Sequence, residues 1–286
     1  MRRLLPVLLL LLPAGLPAQQ APTTRIGGRD VAYWKPAGAA KGGYPVIVFS
    51  HGFGGCGTQS TFLMEALARA GYLVLAPNHA DARCGGAARR GTGARPEEPF
   101  RDAAKWTDAT YKERGEDVRA VLDEVLRSGF QGLSLDAGRV GLAGHSLGGY
   151  TVLGLAGAWP AWKDARVKAV LALSPFCTPL LGKGDLAAMK VPVMYQGGTR
   201  DFGITPSVKR PGGAYDRSAA PKFLVELDAA GHFAWTNLAP EHHATIESFS
   251  VAFFNRYVKG MLPDPLAPLT REPPPTGVTL LKVERK

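Results

Sequence analysis

Cysteine is scarce. Cys56, Cys84 and Cys177 are the only three in 286 residues, too few to build a small disulfide scaffold. No internal apolar run is long enough to cross a membrane, because the one long run stands at the extreme N-terminus. Glycine periods, sustained heptads and internal repeats are all missing, which excludes collagen-like, coiled-coil and solenoid classes. Acidic residues are outnumbered, 24 Asp and Glu against 34 Lys and Arg, giving a formal net charge of +10. That excess can favour anionic surfaces or substrates. No compact Lys/Arg stripe with interleaved aromatics accompanies it, so no nucleic-acid partner is expected. His79 and Asp81 stand close together, but no second pair at ligand spacing completes a metal site, and neither a metal nor a cofactor is expected. What is present is an ordinary globular composition, 45% hydrophobic and 20% charged. It rules out a disordered chain and suffices for one large α/β domain or two small ones.

Met1-Arg2-Arg3 followed by the apolar run Leu4–Leu12 has the form of a signal peptide, with Pro13–Ala18 as its cleavage region. Residues 1–18 are therefore expected to be a leader and the protein secreted or periplasmic, with no stable membrane anchor. A catalytic domain is expected over 19–262 and a Pro-rich, extended, peripheral tail over 263–286. An odd number of cysteines leaves at least one free thiol.

Short apolar runs rich in β-branched residues predict buried strands at 46–50, 72–77, 139–143, 167–173, 191–195 and 222–227, with an edge strand at 30–34. Helical spacing predicts helices at 60–70, 113–127, 148–158 and 241–258. Between them, 82–111 reads as a long polar insertion, a cap or a solvated loop, carrying Arg83, Arg89, Arg90 and Arg95. Strands alternating with helices specify an α/β fold with a mostly parallel central sheet and helices on both faces. In such sheets the active site lies beyond the carboxyl ends of the strands. A Cys56–Cys84 disulfide is expected, since both residues fall just past the ends of neighbouring strands.

After the strand at 139–143 comes Gly144-His145-Ser146-Leu147-Gly148-Gly149, a G-x-S-x-G sequence at a strand-to-helix junction. A nucleophile on so sharp a turn sits in strained backbone, and Gly144 and Gly148 relieve the crowding. Serine needs a base, and the base needs an acid to orient it. In chain order the acid comes next and the base last. Asp201 follows the strand at 191–195 and His232 the strand at 222–227, so Ser146, Asp201 and His232 are the expected catalytic residues. Asp228 and Asp216 rank below Asp201: the first is only four residues from His232 and the second is far from any strand end. His145, His79, His242 and His243 rank below His232. The oxyanion donors are expected to be the backbone N–H groups of Leu147 and Phe53, the latter in Ser50-His51-Gly52-Phe53-Gly54-Gly55. Phe53, Phe176 and Trp235, all just past strand ends, are candidates for the substrate pocket.

With these motifs in place the chain resembles the α/β-hydrolase superfamily from about residue 30 to residue 260. Within it, the sequence looks like the group of dienelactone-hydrolase-like and platelet-activating-factor-acetylhydrolase-like esterases, with bacterial polyesterases and cutinases as cousins. Dienelactone hydrolases carry Cys where this chain has Ser146. Polyesterases carry Tyr and Trp where it has Phe53 and Phe176. The resemblance implies a serine hydrolase that cleaves a carboxylic ester. Together with the leader, the expectation is an exported, cofactor-free enzyme acting through an acyl-enzyme on a small-molecule, lipid or polymer ester. An amidase or thioesterase with the same triad is an alternative. A non-catalytic binding protein on the same scaffold is another.

Overall fold

The computed structural model describes residues 21–83 and 96–286. The expected leader, Cys84, Arg89, Arg90 and Arg95 lie outside the described residues. Among the described residues nine strands form one sheet: β1 (Thr23–Ile26), β2 (Arg29–Trp34), β3 (Tyr44–Ser50), β4 (Leu73–Pro77), β5 (Leu135–His145), β6 (Val167–Leu173), β7 (Val193–Gly198), β8 (Lys222–Leu227) and β9 (Val278–Glu284). Their spatial order is β1-β2-β4-β3-β5-β6-β7-β8-β9. The six strands from β4 to β8 in that order pair in parallel. Antiparallel strands flank them, β2 against β4 and β9 against β8. The helices are α1 (Thr61–Arg69), α2 (Lys112–Ser128), α3 (Leu147–Leu153), α4 (Thr178–Gly182), α5 (Thr205–Lys209), α6 (Ala214–Arg217) and α7 (His243–Tyr257).

Strand alternation divides the core in two. Val46, Val48, Leu142 and Val170 face one side and meet Val118, Val121, Leu122 and Val125 of α2 together with Tyr150, Val152 and Leu153 of α3. Ile47, Phe49, Ala143 and Leu171 face the other and meet Leu63, Met64 and Leu67 of α1 together with Ile246, Phe249, Phe253 and Phe254 of α7. Each buried Val, Leu, Ile, Phe or Met among them contributes about 1.5–3 kcal/mol relative to exposure. Because both sheet faces are covered, the central strands read as continuous apolar runs.

Differences from the sequence reading lie at the margins. The tail at 263–286 supplies β9, which pairs along β8 from Glu284 opposite Lys222 to Val278 opposite Leu227. A further strand, β1, precedes the expected edge strand. Its two-residue turn, Gly27-Gly28, has φ of 58° and 78°, the combination that a tight hairpin needs. The helix expected over 148–158 is α-helical only to Leu153 and continues as a single π turn over Gly154–Ala158. Within the described part of the 82–111 insertion, Trp106 is fully buried and Phe100 packs beside it, while Arg101, Ala104, Lys105 and Thr107 stay exposed.

β4 lies on one side of β3 and β5 on the other. The chain leaves β3 toward α1 on one face and leaves β5 toward α3 on the opposite face. Backbones diverge there and open a crevice at the carboxyl ends of β3 and β5, the position where ligands bind in sheets of this kind.

Candidate active site

Ser146 stands at that crevice with φ 56° and ψ −116°, a left-handed conformation for a non-glycine residue. Holding it costs on the order of 1–3 kcal/mol. The elbow is tied down by Ser146 N–H donating to the Leu173 carbonyl at 3.0 Å and by the Ser146 carbonyl accepting from Phe176 N–H at 2.9 Å. No side chain fits at the flanking glycines. A Cβ on Gly144 would lie 2.2 Å from the Gly148 carbonyl oxygen, and one on Gly148 would lie 1.9 Å from that of Ser50.

The structure brings the three expected side chains together. His232 Nε2 is 2.9 Å from Ser146 Oγ, and His232 Nδ1 is 3.3 Å from Asp201 Oδ1. With Nδ1 protonated toward the carboxylate, Nε2 is the acceptor for the Ser146 hydroxyl. Burial pushes the Asp201 carboxyl up, but hydrogen bonds from His232, Ser174 and Thr205 outweigh it and hold the group below the usual carboxylate range. The rival aspartates lie elsewhere: Asp228 accepts from Ala229 N–H and Asp216 from Gly212 N–H.

Two further side chains complete the imidazole's surroundings. Ser174 is fully buried and has φ 42°. Its Oγ is 2.8 Å from His232 Nδ1 and donates to Asp201 Oδ2. His145 lies beside His232, with ring centroids 4.9 Å apart and planes tilted by 39°, and its Nε2 is 2.8 Å from the His232 carbonyl oxygen. Burial, reinforced by the neighbouring His232, drives His145 down to about 3. It is therefore neutral at ordinary pH, with Nε2–H donating to that carbonyl and Nδ1 accepting from Gln59 Nε2 at 3.0 Å. Ser174 follows β6 directly, so the rule that singled out Phe176 also covers it. For Gln59 the sequence carries no signal.

Of the two residues whose amides are expected to bind an oxyanion, Leu147 follows Ser146 directly and Phe53 lines the same cavity. Leu147 is the first residue of α3, and first-turn amides have no partner within their helix. In the other loop Gly52 N–H donates to Gln59 Oε1 at 3.0 Å and Gly54 N–H to Asp81 Oδ2 at 2.8 Å. The Phe53 amide between them has no acceptor among the described residues.

A cavity of about 590 Å³ opens on Ser146 and His232, within the size range of small-molecule sites. Phe53 and Phe176 line it as expected, and so does Phe100, which the sequence reading left in the insertion. Phe100 sits edge-on between them, with centroids 5.3 Å from Phe53 and 5.0 Å from Phe176. Trp235 is a correction: it is fully buried in the core on the α1/α7 face and does not line the cavity. Its indole N–H donates to Gln196 Oε1 at 3.0 Å, a partner that draws the ring inward.

Cys56 and Cys177 are buried free thiols, and Cys56 Sγ lies 3.2 Å from Thr58 Oγ1. The expected Cys56–Cys84 disulfide is therefore a correction at Cys56, whose thiol is free; Cys84 lies outside the described residues. Among the described residues no group of three or more His, Cys, Asp or Glu could hold a metal ion. No helix among them is long and apolar enough to cross a membrane.

A family model described as the alpha/beta hydrolase family matches residues 47–283. The chain belongs to that family, and its class is hydrolase. No curated protein matches it.

Proposed function

We propose that this chain is an exported serine esterase. The observation that carries the reading is the 2.9 Å contact between His232 Nε2 and Ser146 Oγ at a strained elbow that faces an apolar cavity. His232 takes the Ser146 proton as Oγ attacks the ester carbonyl carbon. The Phe53 and Leu147 amides stabilise the resulting oxyanion. Asp201, held ionised, stabilises the imidazolium. Collapse expels the alcohol, which takes the proton from His232. Water then cleaves the acyl-enzyme by the same route in reverse, releasing the acid. The walls of Phe53, Phe100, Phe176 and Ile204 suit an apolar acyl or alcohol group. This chemistry accords with the resemblance to dienelactone-hydrolase-like and acetylhydrolase-like esterases. Export rests on the sequence of residues 1–18 alone.

A second reading has a specific observation in its favour. Phe202, Phe233 and Leu238 are 79%, 61% and 78% exposed, and each lies within six residues of Asp201 or His232. Large apolar side chains left in water beside a pocket mark contact with an apolar partner, so esters presented by a lipid or polymer surface are natural substrates for this rim. The test is an ester panel: soluble short-chain p-nitrophenyl esters, a phospholipid and a polyester film. Wild-type protein should cleave members of it, and Ser146→Ala should lose more than about a thousandfold in kcat. A Ser146→Ala protein that retained full rate would sink both readings.

A further inference from the structure

The first turn of α2 sends a single fully buried guanidinium, that of Arg114, beneath the Ser50–Gly55 loop. Arg114 Nη1 donates to Asp81 Oδ1, and Nη2 donates to the His51 carbonyl. Nη2 is also 3.5 Å from Ser50 Oγ, and Nε is 3.4 Å from Thr151 Oγ1 on α3. The second oxygen of Asp81 accepts the Gly54 N–H. The loop is thus gripped on both sides of Phe53, at residue 51 by the guanidinium itself and at residue 54 through its carboxylate partner. The same guanidinium reaches α3, the helix that begins with Leu147. One side chain therefore joins the two elements that carry the two free amides.

A second set of contacts anchors the loop's root. Ser50 Oγ is 2.9 Å from His79 Nε2, and His79 Nδ1 is 2.9 Å from Asp117 Oδ2. Arg29 Nε donates to the other oxygen of Asp117. His79 N–H donates to His51 Nε2 at 3.1 Å, and His51 Nδ1–H donates to the Gly52 carbonyl at 2.7 Å. Ser50, His51 and His79 are buried, and none of them lines the cavity.

Stability is a poor account of a buried ion pair here. Desolvation of two charges offsets most of their attraction, and apolar replacements of such pairs are often neutral or stabilising. What a guanidinium supplies is geometry, since its planar fork holds two acceptors in a fixed relation. Transition-state charge is stabilised best by donors that are in position before it develops.

We infer that Arg114 and Asp81 are positioning residues for the reaction, fixing the Phe53 amide relative to the Leu147 amide so that both face the oxyanion. The inference rests on the proposed role of Ser146 as nucleophile. Neither side chain touches the substrate cavity, so both act through the backbone they hold.

The test uses the full chain with Arg114→Lys, which keeps the charge but loses the fork, and Asp81→Asn, which keeps the shape but loses the charge. For each, thermal melting, kcat and KM on a soluble p-nitrophenyl ester and the Ki of a trifluoromethyl ketone are measured. Both variants should melt cooperatively. Their kcat should fall about ten- to hundredfold with KM within about twofold, because the donors act on the transition state. The Ki of the ketone, whose serine adduct carries an oxyanion, should rise by the same factor by which kcat/KM falls. Folded variants with unchanged kcat overturn the inference, as does a fall in kcat with unchanged Ki. If neither variant folds, the pair is a folding element and the inference is equally overturned. Failure of the underlying reading looks different: wild-type protein would then neither cleave the ester nor take up a fluorophosphonate at Ser146.

Discussion

Ser174 sits where a three-residue relay would have a gap. Asp201 Oδ1 is 3.3 Å from His232 Nδ1, whereas Ser174 Oγ is 2.8 Å from it and donates to the same carboxylate. A hydrogen bond to a charged group contributes about 1.5–3 kcal/mol. Ser174→Ala should therefore lower kcat about ten- to hundredfold and leave KM near its wild-type value, since the contact matters most when the ring is cationic. Steady-state kinetics on a soluble ester checks this, and an unchanged kcat would show that Asp201 alone suffices. Of the residues around the imidazole, Ser146, Asp201 and His232 were legible in the sequence because each is the chemically distinctive residue of a short post-strand loop. Ser174 was not, because a serine after a strand has many uses and only the fold reveals its neighbours. Trp235 misled for a related reason. Its position past a strand end fits a pocket wall, but its N–H needs a buried acceptor, and Gln196 supplies one from a distant strand.

At the scale of elements, the first turn of α3 lies too close to the end of β3 for any side chain at residue 148. The Cβ of Gly148→Ala would meet the backbone oxygen of Ser50 at 1.9 Å, an atom that no rotamer change can move aside. The elbow or the neighbouring loop must shift. Overpacking of this kind costs about 1–3 kcal/mol, so the melting temperature should fall. Fluorophosphonate labelling of Ser146 should slow sharply in the protein that remains folded. A variant with wild-type labelling would mean that the elbow tolerates displacement. The parallel strands were legible because burial on both faces writes them as uninterrupted apolar runs. β9 was not, because its half-exposed pattern and Pro-rich approach resemble a tail until β8 is there to pair with it. Phe100 and Trp106 were hidden similarly, as two aromatics in a polar stretch whose partners Phe53, Phe176 and Tyr150 come from three other segments.

For the molecule as a whole, buried ionisable groups set the response to acid. Burial holds His51 and His79 well below 6.5 and His145 at about 3. All three are neutral in the folded state and become protonated on unfolding once the pH falls below 6.5. The unfolded chain then binds more protons, so stability falls with falling pH. Two carboxyls oppose this: burial raises Glu113 to about 7 and also raises Asp117. Glu113 ceases to oppose below its unfolded value of 4.5, where both states are protonated. The Asp201 contribution, from a lowered carboxyl, is lost only below 3.8. The unfolding free energy should therefore decline from pH 6.5 downward, by up to about 1.4 kcal/mol per pH unit for each histidine that stays neutral in the folded state, and the melting temperature should fall with it, most steeply below pH 4.5. A melting temperature that rises on acidification over this range would contradict it.

Ser50, His79 and Asp117 repeat the side-chain inventory of Ser146, His232 and Asp201, with a matching 2.9 Å serine-to-imidazole distance. Residue types and spacing alone would count two reaction centres. Only one opens to solvent, so a hydroxyl-directed reagent should consume Ser146 and spare Ser50 in the same flask, as peptide mass mapping would reveal. The polypeptide thus carries its own control experiment, in which access rather than composition separates reagent from scaffold.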